Sequence, residues 1–307
     1  MPESPNPEFS QSFYLLGIAR APAIPYSKRR GTLVRIRVLI LSLIMAGVAL
    51  AQAPSILDGG IVNGASFAAG QPVTGGALVS IFGNHLATQL AAADTVPLST
   101  QLGGVTVQFV NGNNPPVNAP LLFVGPGNPD LINAQVPWNI VPPNSTQTVN
   151  VVVNVGGIAS APKAVTIGPF SPGIFAVNGR AVVVNNADQT LAWPAGSTPG
   201  LTTHPAKHHD VMIIYATGLG AVDNPPPDGA NAGSQIRNTL TTPTVLVGGL
   251  AVTGPDFISS VLSPQFVGLY QVAFFVPNNA PLGDNISLQI QMGGITSPVN
   301  VTMAISQ

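Results

Sequence analysis

Three of the four histidines lie within six positions of one another, in the segment that runs from His204 to Asp210. Neutral imidazoles and a carboxylate are suitable ligands for Zn²⁺, Cu²⁺ or Ni²⁺, so His204, His208, His209 and Asp210 are the candidate metal ligands. Pro205 disfavours the helix that would align His204 with His208, and His208 and His209 would point to opposite faces of a strand. The segment is therefore interpreted as a solvated loop. A metal-assisted hydrolase that uses these four residues is an alternative function.

The two tryptophans are the candidate ligand-binding residues. Trp138 follows Pro137, and Trp193 precedes Pro194. Carbohydrate-binding modules stack sugar rings on exposed aromatic rings, so a carbohydrate-binding module that uses Trp138 or Trp193 is the first alternative function, ahead of the hydrolase. A bulky ring at Trp138 could instead belong to the core of its domain. The matching position in the second half of the chain is Asn278, which argues against a shared core role.

The composition excludes several classes of protein. Only 7% of the residues are charged, and none is cysteine. The lack of cysteine excludes disulfide scaffolds, zinc–thiolate sites and iron–sulfur clusters, and the lack of basic clusters in the body of the chain excludes a typical nucleic-acid-binding protein. The G-x-S-x-G, H-E-x-x-H and P-loop motifs are missing too, so the sequence predicts no enzyme and no cofactor. A Ser-His-Asp triad without a local motif stays open.

The N-terminal segment has the features of an export signal. Six of the ten basic residues precede residue 38, an apolar run covers Val38 to Leu50, and Ala51-Gln52-Ala53 matches a small-residue cleavage site. We therefore predict a signal peptide over residues 1–53, of which residues 1–27 belong to the protein only if translation starts at Met1. An uncleaved membrane anchor is the alternative, although thirteen residues are short for a membrane span. The predicted location is secreted, periplasmic or on a bacterial cell surface.

Strand signals dominate the rest of the chain. Apolar and polar residues alternate over 149–155, 286–292 and 299–305, which is the period of a strand with one buried face. The pairs Gly156-Gly157 and Gly293-Gly294 predict tight hairpins because glycine readily adopts a positive φ angle. The many prolines break helices and punctuate loops.

The chain after the export signal contains two copies of one pattern. Residues Gly156–Ser160 match Gly293–Ser297, and three further segments repeat in the same order with similar spacing. The predicted fold class is therefore all-β, with two tandem immunoglobulin-like β-sandwich domains over residues 54–176 and 177–307, preceded by a helical signal peptide.

Five segments taken together resemble a known family; they are Ile61–Phe67, Ile132–Trp138, Ser171–Phe175, Tyr215–Gly220 and Val267–Val272. In combination they are similar to the Solibacter-type uncharacterised C-terminal domain of acidobacterial secreted proteins. The resemblance implies an exported protein with two immunoglobulin-like (IPT/TIG-like) repeats, without a known activity and without catalytic residues. This sequence departs from the family at one position, since His209 stands where the family often has glycine.

These features predict a non-catalytic module of the cell surface or the extracellular space, with a role in interaction, adhesion or spacing. The expected partner is an extracellular protein or a polysaccharide of unknown identity, and nucleic acid and a stable membrane span are not expected. Few carboxylates are present to change their pKa on folding, so stability should vary little between about pH 4 and 8.

Overall fold

The computed structural model describes residues 52–307, so the predicted signal peptide lies almost wholly outside the described residues. In the described part, no helix is long and apolar enough to cross a membrane. The first ten strands are β1 (Ser55–Asn63), β2 (Leu78–Asn84), β3 (Ala91–Ala92), β4 (Val105–Val110), β5 (Val117–Asn118), β6 (Leu121–Gly125), β7 (Asp130–Gln135), β8 (Gln147–Val155), β9 (Ile158–Ala159) and β10 (Lys163–Ile167).

These ten strands form two sheets that share one core. One sheet has the strand order β1-β2-β7-β6-β3, and the other has the order β10-β8-β4-β5 with β9 paired to β8. Val79 and Ile132 from the first sheet pack in the same apolar cluster as Val107 and Val151 from the second. Two sheets that bury their apolar faces against each other make a β-sandwich, here called sandwich 1.

The remaining strands are β11 (Gly173–Ile174), β12 (Ala176–Val177), β13 (Arg180–Ala181), β14 (Val183–Asn185), β15 (Ala206–Lys207), β16 (Val211–Thr217), β17 (Thr244–Val247), β18 (Leu250–Ala251), β19 (Phe257–Leu262), β20 (Tyr270–Phe275), β21 (Gly283–Met292), β22 (Ile295–Thr296) and β23 (Thr302–Ser306). A 3₁₀ turn over Gly254–Asp256 is the sole helical element of residues 52–307.

These thirteen strands again form two sheets around one core. The first has the order β11-β16-β20-β19, with β14 paired to β16, and the second has the order β12-β13-β23-β21-β17-β18, with β15 on β23 and β22 on β21. Ile214 and Val272 from the first sheet share an apolar cluster with Ile290 and Met303 from the second. We call this pair of sheets sandwich 2. Residues 53–307 nevertheless form one compact unit, so the proposed division at residue 176 stays a prediction.

The structure confirms the predicted all-β class, with several antiparallel sheets. The alternation seen over 149–155 gives β8, whose valines at odd positions are buried. In the third predicted segment, residues 299–305, the strand begins only at Thr302, because Pro298 to Val301 lie in a loop before β23. Val299 is 70% exposed in this loop, although the alternation predicted that it would lie on the buried face of a strand.

The two glycine hairpins have the same local geometry. Gly156 and Gly157 have φ angles of 58° and 91°, and Gly293 and Gly294 have angles of 52° and 86°. After each hairpin a serine side chain accepts a hydrogen bond from the preceding strand at 3.0 Å: Ser160 from the Val153 N–H and Ser297 from the Ile290 N–H. The repeated sequence therefore encodes a repeated hydrogen-bonding pattern as well as a repeated turn.

Candidate functional site

His204 forms an ion pair with a residue that the sequence did not single out. Its Nε2 atom lies 2.7 Å from a carboxylate oxygen of Asp188 and 2.8 Å from the Thr190 hydroxyl. Its Nδ1 atom lies 2.9 Å from the carbonyl oxygen of Pro205. A carbonyl and a carboxylate only accept hydrogen bonds, so acceptors face both ring nitrogens, and this arrangement favours the imidazolium form of His204.

The pKa values of this pair move in the directions that the geometry requires. The Pro205 carbonyl and then the Asp188 carboxylate raise the pKa of His204 above its usual value. For Asp188, partial burial opposes ionisation, but the hydrogen bonds from His204 and Thr190 outweigh it and lower the pKa. Both side chains are more than one-third exposed, at 39% for His204 and 47% for Asp188, so solvent screens the attraction.

The other three candidate metal ligands make separate structural contacts. His208 Nε2 lies 3.0 Å from the carbonyl oxygen of Ala280, and His209 is exposed in a turn with φ of 66°. Asp210 accepts hydrogen bonds from the Lys207 N–H and the Asn185 side chain, at 2.8 and 3.0 Å. No group of three or more His, Cys, Asp or Glu within residues 52–307 could hold a metal ion. The geometry thus supports a pair of His204 with Asp188 and not a four-residue metal centre.

Trp193 is a core residue. It is 1% exposed, and its indole N–H donates a hydrogen bond of 2.7 Å to the carbonyl oxygen of Ala181. A ring with no accessible face cannot stack on a sugar. Burial with a satisfied N–H instead anchors the long loop between β14 and β15 on sandwich 2.

Trp138 is buried at the contact between the sandwiches. It follows β7 of sandwich 1 in the chain, but its side chain packs in the core of sandwich 2, and the residue is only 9% exposed. Its backbone N–H donates to the Asp228 carboxylate at 2.8 Å, and its ring lies directly against Gly76, where any Cβ atom would overlap it. The indole N–H is buried without a hydrogen-bond partner. Trp138 therefore joins the two sandwiches and offers almost no surface to a ligand.

Three other buried polar side chains bridge the same contact, which we call the junction. The Thr217 hydroxyl of sandwich 2 accepts from the Leu78 N–H at 2.9 Å and donates to the Gly268 carbonyl at 2.7 Å. The Gln135 side chain of sandwich 1 accepts from the Gly229 N–H at 2.7 Å.

Asn63 is the third of these side chains. Its Nδ2 donates to the Ser171 carbonyl at 2.7 Å, and its Oδ1 accepts from the Ala65 N–H at 2.8 Å. Burial in a low-dielectric contact makes each such hydrogen bond costly to break.

Glycine lets the backbones approach at the junction. Gly218, at φ of 80°, lies against the Ser171 carbonyl oxygen, and a Cβ atom there would overlap that oxygen. Gly220 lies against the Phe170 ring, where a Cβ atom would come within 2.7 Å. The requirement for glycine at these positions is steric as well as conformational.

All five segments that carry the family resemblance contribute to the junction. They supply Asn63, Gln135 with Trp138, Ser171, Thr217 with Gly218, and Gly268. Scattered along more than 200 residues of sequence, they meet in one buried contact. Sequence reasoning singled out these segments but did not predict that they would touch one another.

One exposed aromatic residue is not among the candidates that the sequence predicts. Phe67, in the loop after β1, is 50% exposed and has a φ angle of 53°. Its ring contacts Phe82, with the ring centroids 6.3 Å apart. A recess of about 130 Å³ lies beside it, between the loop at Phe67 and the loop at Asn300. The sequence carries no signal for this site, because neither the positive φ nor the exposure of Phe67 can be derived from local composition.

No family model and no curated protein matches the chain. Among solved structures, similarity is found to the C-terminal domain of the AgI/II polypeptide BspA of Streptococcus agalactiae, in two structures of the wild-type domain. Each covers 83% of this chain and 99% of that domain, with 9% sequence identity and a TM-score of 0.17. At that TM-score the similarity does not inform the function of this chain.

Proposed function

We propose that the chain is an exported, non-catalytic interaction or spacer module whose two sandwiches act as one rigid body. The observation that carries the proposal is the junction, where Thr217 and Gln135 hydrogen-bond from one sandwich to the other. Asn63 bonds there to Ser171, whose N–H in turn bonds to the Gly218 carbonyl of sandwich 2. Domains in one chain are expected to move relative to one another unless their interface is extensive and well packed. A rigid pair of sandwiches holds a binding surface, or the two ends of a spacer, in a fixed orientation.

The resemblance to the Solibacter-type C-terminal domain family supports the proposal. The residues that carry it line the junction, so the same segments that give the resemblance also join the two sandwiches. The family implies an exported protein, in agreement with the signal features of residues 1–53. The proposed location is therefore the bacterial cell surface, the periplasm or the medium, and the proposed partner is an extracellular protein or a polysaccharide.

Two polar residues that could have served a reaction, Asp130 and His204, have structural partners, which agrees with the non-catalytic proposal. Asp130 is 7% exposed and accepts hydrogen bonds from the N–H groups of Leu86 and Gly127, both at 2.8 Å. Its carboxylate thus orders two loops of sandwich 1. His204 is held by Asp188, as described above.

Rigidity can be measured directly because the chain has no cysteine. Thr166 in sandwich 1 and Ile258 in sandwich 2 are exposed strand residues, so T166C and I258C would place one spin label on each sandwich of residues 54–307. Double electron–electron resonance should give one narrow distance distribution. A broad or bimodal distribution in the otherwise unmodified protein would refute the rigid-body proposal.

A matched variant tests the cause of the rigidity. Thr217→Val keeps the shape of the side chain but removes the hydroxyl that bonds to both Leu78 and Gly268. We expect a broader label distance in this variant. Thr302→Val is the control, because Thr302 lies on β23 and its hydroxyl makes a contact of 3.4 Å, to Gly179 within sandwich 2.

Export needs a separate experiment. The full-length chain, produced in a bacterial host, should appear outside the cytoplasm with a new N-terminus at Pro54, as read by mass spectrometry of the intact protein. Retention of the whole chain in the cytoplasm would contradict the proposed location without affecting the rigidity of the sandwiches.

A further inference from the structure

Phe67 is the one aromatic side chain of residues 52–307 with a largely exposed surface. Half of its surface is accessible, whereas Trp138 and Trp193 are at least nine-tenths buried. An accessible aromatic ring offers a large apolar face on which a ligand can stack, and ligand sites combine a concave shape with aromatic and apolar lining and a few polar groups. The candidate platform for a ligand is therefore Phe67 and neither tryptophan.

The backbone holds Phe67 in a strained conformation. A φ of 53° is rare for a bulky residue that is not glycine or asparagine. The Asn63 side chain keeps the loop in this shape, because its Oδ1 accepts hydrogen bonds from Ala65 and Ser66, and the Phe67 N–H bonds to the Asn63 carbonyl at 3.0 Å. Strain of this kind persists where the surrounding structure fixes it and is enriched at ligand-binding positions.

Both sandwiches contribute to the recess beside the ring. Ser66 and Phe67 line it from sandwich 1, and Ile174, Pro298 and Asn300 line it from sandwich 2. No charged residue lines it. The lining therefore combines an aromatic ring, apolar side chains, a hydroxyl and an amide, with no group that would neutralise an ionic ligand.

We propose that this recess binds a neutral sugar residue of a glycan. A sugar ring has an apolar face that stacks on an aromatic ring and hydroxyl groups that bond to amides and hydroxyls, which are the groups present at Phe67, Ser66 and Asn300. An acidic glycan or a charged peptide would lose hydration without gaining a counter-charge. The inference names the partner class of the proposed interaction module and rests on that function.

The test uses residues 54–307 and a panel of neutral tetrasaccharides built from glucose, galactose, mannose or xylose, with isothermal titration calorimetry. At least one tetrasaccharide should bind with a dissociation constant in the millimolar range or tighter. Phe67→Asn removes the ring but tolerates the positive φ, so it should keep the fold and weaken binding about tenfold or more. Phe67→Tyr retains the ring and should bind within about threefold of the parent protein.

Ile236→Ala is the matched control, because Ile236 is 78% exposed in another loop, and its loss should leave affinity unchanged. The proposal is overturned if no tetrasaccharide binds or if binding survives Phe67→Asn. Spin-label distances measured on the same protein separate this failure from failure of the rigid-body proposal. A narrow distance distribution without sugar binding would refute the glycan site while the rigid-body proposal still holds.

Discussion

The same backbone turn occurs once in each sandwich, and its two copies serve different purposes. In sandwich 1 the Gly76 N–H bonds to the Val136 carbonyl at 2.9 Å, and in sandwich 2 the His209 N–H bonds to the Val276 carbonyl at 2.9 Å. Both residues have a positive φ, of 77° and 66°. The lack of a side chain at Gly76 leaves room for the Trp138 ring.

In sandwich 2 the matching positions, His209 and Asn278, are both exposed. A turn that packs a tryptophan into the junction in one copy is thus a surface turn in the other. The same hydrogen-bonded turn is therefore present in both sandwiches, whereas Gly76 and Trp138, which occur in sandwich 1 alone, build the contact between the sandwiches.

The largest expected effect comes from removing the residue that distinguishes the two turns. Trp138→Ala should destabilise residues 54–307 by about 3–5 kcal/mol, because a large buried ring is replaced by a cavity. Asn278→Ala should change stability by less than about 0.5 kcal/mol, since the side chain is exposed. Urea unfolding of both variants checks the difference, and similar stabilities would show that Trp138 does not hold the junction.

Two glycine-to-alanine substitutions separate the cost of close packing from the cost of backbone strain. Gly218 and Gly249 have nearly equal φ angles, of 80° and 83°, but only Gly218 lies against another segment. Both substitutions place an alanine at a positive φ, but only Gly218→Ala also creates a steric overlap. Gly218→Ala should therefore lower the free energy of unfolding by about 1–3 kcal/mol more than Gly249→Ala. Thermal unfolding gives both values, and equal losses would mean that the junction can relax around a methyl group.

The hairpin serines should behave alike in the two sandwiches. Ser160→Ala and Ser297→Ala each leave one buried N–H without its side-chain acceptor, that of Val153 or of Ile290. Each should cost about 1–2 kcal/mol. Chemical denaturation of the two single variants measures this, and costs that differ by more than about 1 kcal/mol would argue against equivalent local structures.

A smaller effect, an increase in stability, is expected for a substitution at His209 in the turn of sandwich 2. His209→Gly should stabilise the protein by up to about 1 kcal/mol, because glycine relieves the positive φ and loses only part of that gain to its greater unfolded-state freedom. The melting temperature should rise slightly. A fall would indicate that the exposed imidazole makes a stabilising contact.

The smallest effect is the pH dependence of the His204–Asp188 pair. The pKa of His204 is raised, so its contribution is fully present below about pH 6.5 and is lost as the pH rises through the raised value. The pKa of Asp188 is lowered, so its contribution is present above about pH 3.9 and is lost as the pH falls through the lowered value. Partial exposure limits the total to about 1 kcal/mol or less.

Unfolding free energies measured at about pH 5 and pH 8 should therefore differ slightly in the parent protein, with the higher value at about pH 5. This difference should disappear in His204→Gln. An unchanged pH dependence in the variant would assign it to other groups.

Local features of the fold followed from the sequence. The alternation of valines predicted β8, and the glycine pairs predicted the hairpins at Gly156 and Gly293, because a two-residue period and a positive φ are properties of a short segment. The candidate sites were less predictable. Trp138 and Trp193 were candidates on residue type alone, and burial removes both from the surface.

The exposed ring at Phe67 and the partner of His204 could not be found in this way, since both depend on residues that are brought together only by folding. Asp188 lies sixteen positions before His204, and Asn300 lies at the other end of the chain from Phe67. No period or motif links such pairs in the sequence.

The all-β class and the glycine turns follow from the amino-acid sequence, because they depend on interactions between neighbours along the chain. Folding was needed to show that five distant segments meet in one junction, that Trp138 enters the core of the other sandwich, and that Phe67 stays exposed. These outcomes depend on which surfaces become buried when the two sandwiches pack, and burial is a property of the whole folded chain.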